Sequence, residues 1–268
     1  MDKTETGTAL DAVFFVLKLA VISIVLTLAA IAISFIGWKL GQTTTKGEAE
    51  TAGTAPGMFA GGGMRIIVDA GHGGRDGGAV SITGTPEKTL NLEISLTLAE
   101  LLRAVGFETI ETRTTDDVVG GEAPKGSRKL ADLKARLDIA LANPDAPLVS
   151  IHMNKFASPL PKGLQVWYSK NNERSKLLAE YIRKKNVELV QPDNTRDIKP
   201  ATSAIYLMHR ATAPAVTVEC GFLSNHEEAA LLETKEYRDK LAAMLLGAIA
   251  EYHNNVPADD HAEPPQQN

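Results

Sequence analysis

The sequence holds a single cysteine, Cys220, among 268 residues. Neither an internal disulfide framework nor a cysteine-based zinc site can form, so any metal has to be held by histidines and carboxylates. An excess of positive charge is also missing: 28 lysines and arginines stand against 33 aspartates and glutamates, a net charge of -5, which lends no support to nucleic-acid binding. Nucleotide fingerprints are absent. Counted from Gly71, the third glycine of a G-x-G-x-x-G motif would fall on Asp76, and no G-x-x-x-x-G-K-[ST] run occurs. No internal repeat is visible. The remaining composition, 44% hydrophobic and 23% charged, fits one globular domain with appendages.

What is there centres on the run from Ile66 to Ala79, Ile-Ile-Val-Asp-Ala-Gly-His-Gly-Gly-Arg-Asp-Gly-Gly-Ala. β-Branched residues bounded by glycines predict a buried strand that stops in a tight turn, with His72 at its carboxyl end. In open α/β sheets ligands bind at that end of the strands. An aspartate in such a turn repels phosphate. A cation explains better why a histidine and two aspartates, Asp69 and Asp76, share a loop whose glycines allow close backbone approach.

The rest of the chain supplies an anchor, a tether and a domain. Leu19 to Trp38 carries no charge for 20 residues, enough for a helix to cross a hydrocarbon core of ~30 Å. Ala30-Ile31-Ala32 resembles a signal-peptide cleavage site but lies in mid-stretch, which favours an uncleaved anchor within residues 1–40. Residues 41–63, rich in Thr, Gly and Ala, read as a flexible tether, and residues 254–268, with three prolines, as a disordered tail. Between them, 64–253 form the globular domain.

Within that domain, Leu90, Ile94, Leu98, Leu101, Leu102 and Val105 mark a helix that opens at Pro86-Glu87 and closes at Gly106. An alternating strand follows at 107–112. A helix over 127–142 is expected to turn Leu130, Leu133, Leu137, Ala140 and Leu141 inward. Further strands are predicted at 148–152, 163–168 and 215–219, a helix at 173–189, an irregular loop at 191–203, and a helical region to about His253 that Ser224 or Asn225 can cap. Strands alternating with helices imply an α/β fold, a largely parallel sheet with helices on both faces.

Three strands thus end in a metal- or proton-competent side chain: His72, His152 and Glu219. Glu87 at a helix start can reach the same edge, although the helix dipole alone would favour a carboxylate there. Two histidines and one carboxylate leave a coordination position of zinc open, the pattern of a catalytic site. Such a zinc supports amide hydrolysis if a second carboxylate moves the proton. Spacing does not decide between Glu87 and Glu219 for that part. His209, His226, His253 and His261 read as ordinary structural or surface histidines, Glu93, Glu100 and Glu108 as solvated, and Cys220 as a packed small residue.

Four ordered segments, Asp69-Ala70-Gly71-His72-Gly73-Gly74 with Asp76-Gly77-Gly78-Ala79, Glu87-Lys88, Ser150-Ile151-His152-Met153-Asn154, and Glu219-Cys220-Gly221-Phe222-Leu223-Ser224-Asn225, resemble the zinc-dependent N-acetylmuramoyl-L-alanine amidases of the Amidase_3 type. The resemblance covers about 66–252. It implies a mixed, mostly parallel sheet, zinc (Zn2+) held by His72, Glu87 and His152, and Glu219 as catalytic carboxylate. The substrate would be peptidoglycan, cleaved between the lactyl group of muramic acid and L-alanine, by a domain outside the membrane. The other readings are a non-catalytic wall-binding module with the same fold and a zinc peptidase of the stem. A finer likeness, at 126–128 and 205–208, is to the sporulation-specific members that serve muramic δ-lactam formation in the spore cortex. The chain departs from the family pattern at Arg75 and Cys220, and Asn154 and Arg128 are candidates for reading substrate. No insertion long enough to plug the cleft is evident, which favours an open site or control by an activator protein.

Overall fold

Ile66, Ile67 and Val68 are fully buried, as an apolar β-branched run must be if it lies in the middle of a sheet covered on both faces. In the computed structural model, which describes residues 63–121 and 123–256, this run is β1 (Arg65–Ala70). The other strands are β2 (Glu108–Glu111), β3 (Leu148–Asn154), β4 (Gln165–Tyr168), β5 (Lys199–Pro200) and β6 (Ala215–Phe222), in the sheet order β2-β1-β3-β6-β4-β5. All neighbours run parallel except β4 and β6, so the sheet is mixed and mostly parallel. The expected membrane helix, the tether at 41–62 and the tail from 257 lie outside the described residues. Among the described residues no helix is long and apolar enough to cross a membrane.

The helices are α1 (Glu87–Ala104), α2 (Arg128–Leu141), α3 (Arg174–Leu189), α4 (Tyr206–Arg210), α5 (His226–Leu232) and α6 (Lys235–Asn255). α1 ends as Gly106 predicts. Gly106 adopts φ 90, its N–H reaches the Arg103 carbonyl and that of Phe107 reaches Leu102, which together satisfy carbonyls the helix end leaves open. Phe107 then packs in the same core as Leu102. Asn225 caps α5 by accepting from the N–H groups of Glu227 and Glu228, while the Ser224 hydroxyl turns to the Phe156 N–H.

Two apolar clusters lie on opposite faces of the sheet. Ile66, Val68, Val149, Ile151, Val216 and Val218 meet α1, α3 and α6. Ile67, Leu148 and Ala215 meet α2 and α4. Each buried Leu or Ile contributes about 1.5–3 kcal/mol relative to exposure.

Several expectations need correction. Leu130 and Leu141 are 46% and 45% exposed, because the buried face of α2 centres on Arg136, Leu137 and Ala140 and these two leucines lie at its margins. The loop at 191–203 contains the two-residue strand β5, and the single turn of helix α4 follows it. Both are too short to carry a period. The C-terminal helical region is two helices, divided where Thr234 caps α6, and the second runs to Asn255.

Candidate metal centre

The strand register builds the site. On the α2/α4 face, Ile67, Leu148 and Ala215 are register partners across β1, β3 and β6. Two residues on, Asp69, Ser150 and Thr217 form the next rung, and then His152 stands beside Glu219. Side chains two apart share a face, so each strand passes from apolar to polar toward its carboxyl end on this one face. Beyond His152 the β3–β6 register slips, with Asn154 opposite Phe222, a bulge of the kind that re-aims side chains near active sites.

The first strand delivers its histidine by a strained turn. His72 has φ 62 and is the one non-glycine residue in the left-handed region among the described residues, a conformation that costs on the order of 1–3 kcal/mol and persists only where its surroundings enforce it. Here they do: Arg136 Nη2 donates to the His72 carbonyl at 2.6 Å and Nη1 to that of Ala70 at 2.8 Å. Arg113 donates to the carbonyls of Ala70 and Gly71, each at 2.9 Å. Gly71 and Gly78 are needed for space. A Cβ on Gly71 would lie 2.3 Å from the His152 ring, and one on Gly78 2.6 Å from Glu87 Oε2 and 2.7 Å from the His72 ring.

His72, Glu87 and His152 converge, with one ligand atom from each lying within 4.8 Å of the others. His72 Nε2 is 3.3 Å from Glu87 Oε2, and His152 Nδ1 is 3.0 Å from Oε1. Glu87, 3% exposed, is itself fixed by the N–H groups of Met153 at 3.0 Å and Ala79 at 2.8 Å and by the amide of Asn91. More than the helix dipole therefore acts on it. On the far side of the His72 ring, Nδ1 meets Asp76 Oδ2 at 3.0 Å, the partner that fixes a ligating imidazole's orientation. Two imidazoles and a carboxylate are a donor set that suits zinc.

The electrostatics agree with a cation site. Burial opposes charge on His72, yet the hydrogen bonds to Asp76 and Glu87 outweigh it and raise the imidazole to about 9. Asp76 is lowered to about 2, first by its bond to His72. Burial disfavours charge on Glu87, but the two histidines overcome it and hold the carboxyl well below the usual range. Glu219 differs from all of these: burial pushes its carboxyl up, and its Oε2 is buried with no hydrogen-bond partner. A cavity of about 220 Å³ is lined by His72, Asp76, His152 and Glu219 on the sheet side and by Leu133, Tyr206 and Leu207 from α2 and α4.

Of the two loop aspartates, Asp76 supports His72 and Asp69 serves underneath. Asp69 is fully buried, pairs with Arg136 and accepts from Thr112 and Ser150. Burial opposes its charge, but Arg136 and these hydroxyls hold its carboxyl below the usual range. Arg113 and Arg136 were missed from sequence, although an arginine within the Leu133, Leu137, Ala140 stripe was the available signal. Asn154 gives its carbonyl to the Leu223 N–H and does not line the cavity. Arg128 lines an adjoining groove. Cys220 is a packed buried thiol, its pKa pushed well above the usual thiol range by burial.

Residues 66–251 match the family model of N-acetylmuramoyl-L-alanine amidase, Amidase_3. Over 195 residues the chain is 35% identical to the germination-specific N-acetylmuramoyl-L-alanine amidase of Bacillus subtilis, covering 71% of this chain and 80% of that protein. It is 27% identical to the amidase AmiA of Escherichia coli, covering 72% and 78%. Among solved structures, the CwlD amidase of Clostridioides difficile, in complex with the GerS lipoprotein, is similar with a TM-score of 0.67 and 37% identity, over 70% of this chain and 98% of that one.

Proposed function

We propose that this chain, which belongs to the N-acetylmuramoyl-L-alanine amidase family and hydrolyses the amide between the lactyl group of muramic acid and L-alanine in peptidoglycan, does so as a zinc enzyme with His72, Glu87 and His152 as ligands and Glu219 as proton carrier. The observation that carries this reading is the convergence of three donor side chains beside Glu219, register partner of His152 on the adjacent strand, whose Oε2 is buried with no hydrogen-bond partner. When bound there, zinc supplies a Lewis acid for the amide carbonyl and brings the pKa of water to about 7.

The protein's own groups do the rest. Glu219 takes a proton from the attacking water as the new C–O bond forms, and passes it to the alanine nitrogen as the C–N bond breaks. Its carboxyl, raised by burial, is suited to giving the proton back. Asp76 holds the His72 ring, and Arg113 and Arg136 hold the turn that presents it.

Stem release from peptidoglycan by the purified protein tests the assignment, with zinc measured by elemental analysis. Glu219→Gln is expected to keep zinc and lose on the order of 10²- to 10⁴-fold in kcat, and His72→Ala to lose both. Unchanged release by either variant refutes the roles. Mass spectrometry of the products is expected to find intact stems beginning with L-alanine, whereas shortened stems would mean a peptidase.

We further propose that residues within 1–40 anchor the chain in a membrane, with the domain on the extracytoplasmic side, in the cell envelope or the forespore intermembrane space, since the substrate lies there. Likeness to a germination-specific amidase supports a spore-cortex role, in which stem removal exposes the muramic carboxyl that lactam formation needs. Likeness to an amidase solved with a lipoprotein supports an activator protein. Protease accessibility in intact cells checks the topology: a shielded domain would overturn it.

A further inference from the structure

A second cavity, of about 410 Å³, adjoins the metal pocket, bounded by the turn at Arg75, the loop at Val118 and the start of α2. The two cavities share Asp76, Lys129 and Asp132, so a ligand in the groove lies next to the bond being cut.

Acids and bases both line this groove, but they are not equally occupied. Asp76 is taken by His72 and by the Gly78 N–H. Asp117 accepts from Thr115, and Asp132 binds Arg136 Nε and the Val119 N–H, each at 2.7 Å. The bases are less engaged: Arg75, Lys125 and Lys129 make no hydrogen bond or ion pair among the described residues, Lys129 acting on Asp76 only through its charge, and Arg128 uses only Nε, at 2.9 Å from the Ala123 carbonyl. Among the described residues the groove's lining therefore carries more basic than acidic side chains, in a chain whose net charge is -5.

That placement is not explained by the helix. α2 has no acidic residue in its first turn and opens instead with Arg128 and Lys129, the reverse of what the positive end of a helix dipole favours. Local choices that oppose the fold concentrate at functional or strained sites, and α2 shows no strain at this end.

We propose that this groove is the subsite for the peptide stem and that Arg75, Lys125, Arg128 and Lys129 read the stem's free carboxylates beyond L-alanine. The inference rests on the amidase reading, since the stem is the part of that substrate that carries several carboxylates on a short chain. Lys129, facing both cavities, marks where the stem passes from the cut bond into the groove.

The test uses the full chain with muropeptides that differ only in whether the stem carboxylates are free or amidated. Wild type is expected to favour the free-carboxylate stem by about tenfold in kcat/KM, each exposed charge contact being worth up to ~1 kcal/mol, or about fivefold. Arg75→Gln with Lys125→Gln is expected to raise KM for the free-carboxylate stem by about fivefold to tenfold, with kcat, zinc content and KM for the amidated stem unchanged. Arg75→Lys with Lys125→Arg is expected to restore it. Equal cleavage of both substrates by wild type, or a double variant with the wild-type preference, overturns the subsite alone. Failure of wild type to cut either substrate, with zinc bound, overturns the amidase assignment and the subsite with it.

Discussion

The two faces of the sheet are made by the same strands, yet they have different tasks. On the face toward α1, α3 and α6, the rungs Val68–Val149–Val216 and Ala70–Ile151–Val218 are apolar throughout. On the face toward α2 and α4, the rung at Ile67 is apolar, that at Asp69 is polar, and that of His152 and Glu219 is chemical. One face buys stability along its whole length. The other gives up apolar area, one rung at a time, to build a site at the carboxyl ends of the strands. A buried carboxylate under that site is tolerable only because Asp69 has a guanidinium and two hydroxyls on it.

Breaking the polar face should therefore cost more than an equal trim of the apolar one. Arg136→Met strands Asp69 and releases the His72 carbonyl; chemical denaturation is expected to record a loss of about 3–5 kcal/mol, with zinc affinity falling too. A loss below 1 kcal/mol with zinc unchanged would erase the contrast between the faces.

Protons attack the same contact. The folded pKa of Asp69 lies below its ordinary value of 3.8, so its contribution is fully present above that pH and is lost as pH falls toward the folded value. Acid titration of wild type should thus show a destabilisation below about pH 4 that is shallower in Asp69→Asn, already weakened at neutral pH. Parallel acid limbs would rule out this residue as a source.

Adjacent residues of β3 give the sharpest comparison. Ser150→Ala removes the hydroxyl on Asp69 Oδ2 and is expected to cost about 1.5–3 kcal/mol. Ile151→Val, next in the chain but in the opposite core, is expected to cost about 0.5–1.5 kcal/mol and to leave zinc content and stem release per folded molecule unchanged. If Ile151→Val disturbed the metal centre more than Ser150→Ala, the two faces would not be separate in function.

Much of this was open to reading from the chain. β1, β3 and β6 announced themselves as short apolar runs, α1 by its period and its closing glycine, and His72, His152 and Glu219 by standing where the apolar runs stop, although β3 itself continues to Asn154 and β6 to Phe222. Hidden signals were those with no local pattern. Arg136 sits in an otherwise apolar stripe, and its partner Asp69 is 67 positions away. The fixing of Glu87 by the Met153 N–H likewise spans two separate elements.

The sequence by itself determined the longer strands and helices and the side chains that stand near their ends, because burial pattern, caps and turns act over a few residues. Tertiary structure alone decided that β1, β3 and β6 lie side by side, that His152 falls in register with Glu219, and that α2 turns its arginine inward beneath the turn carrying His72. Those are pairings between distant segments, chosen by which rungs bury apolar area and satisfy polar groups together, and no single segment carries that information.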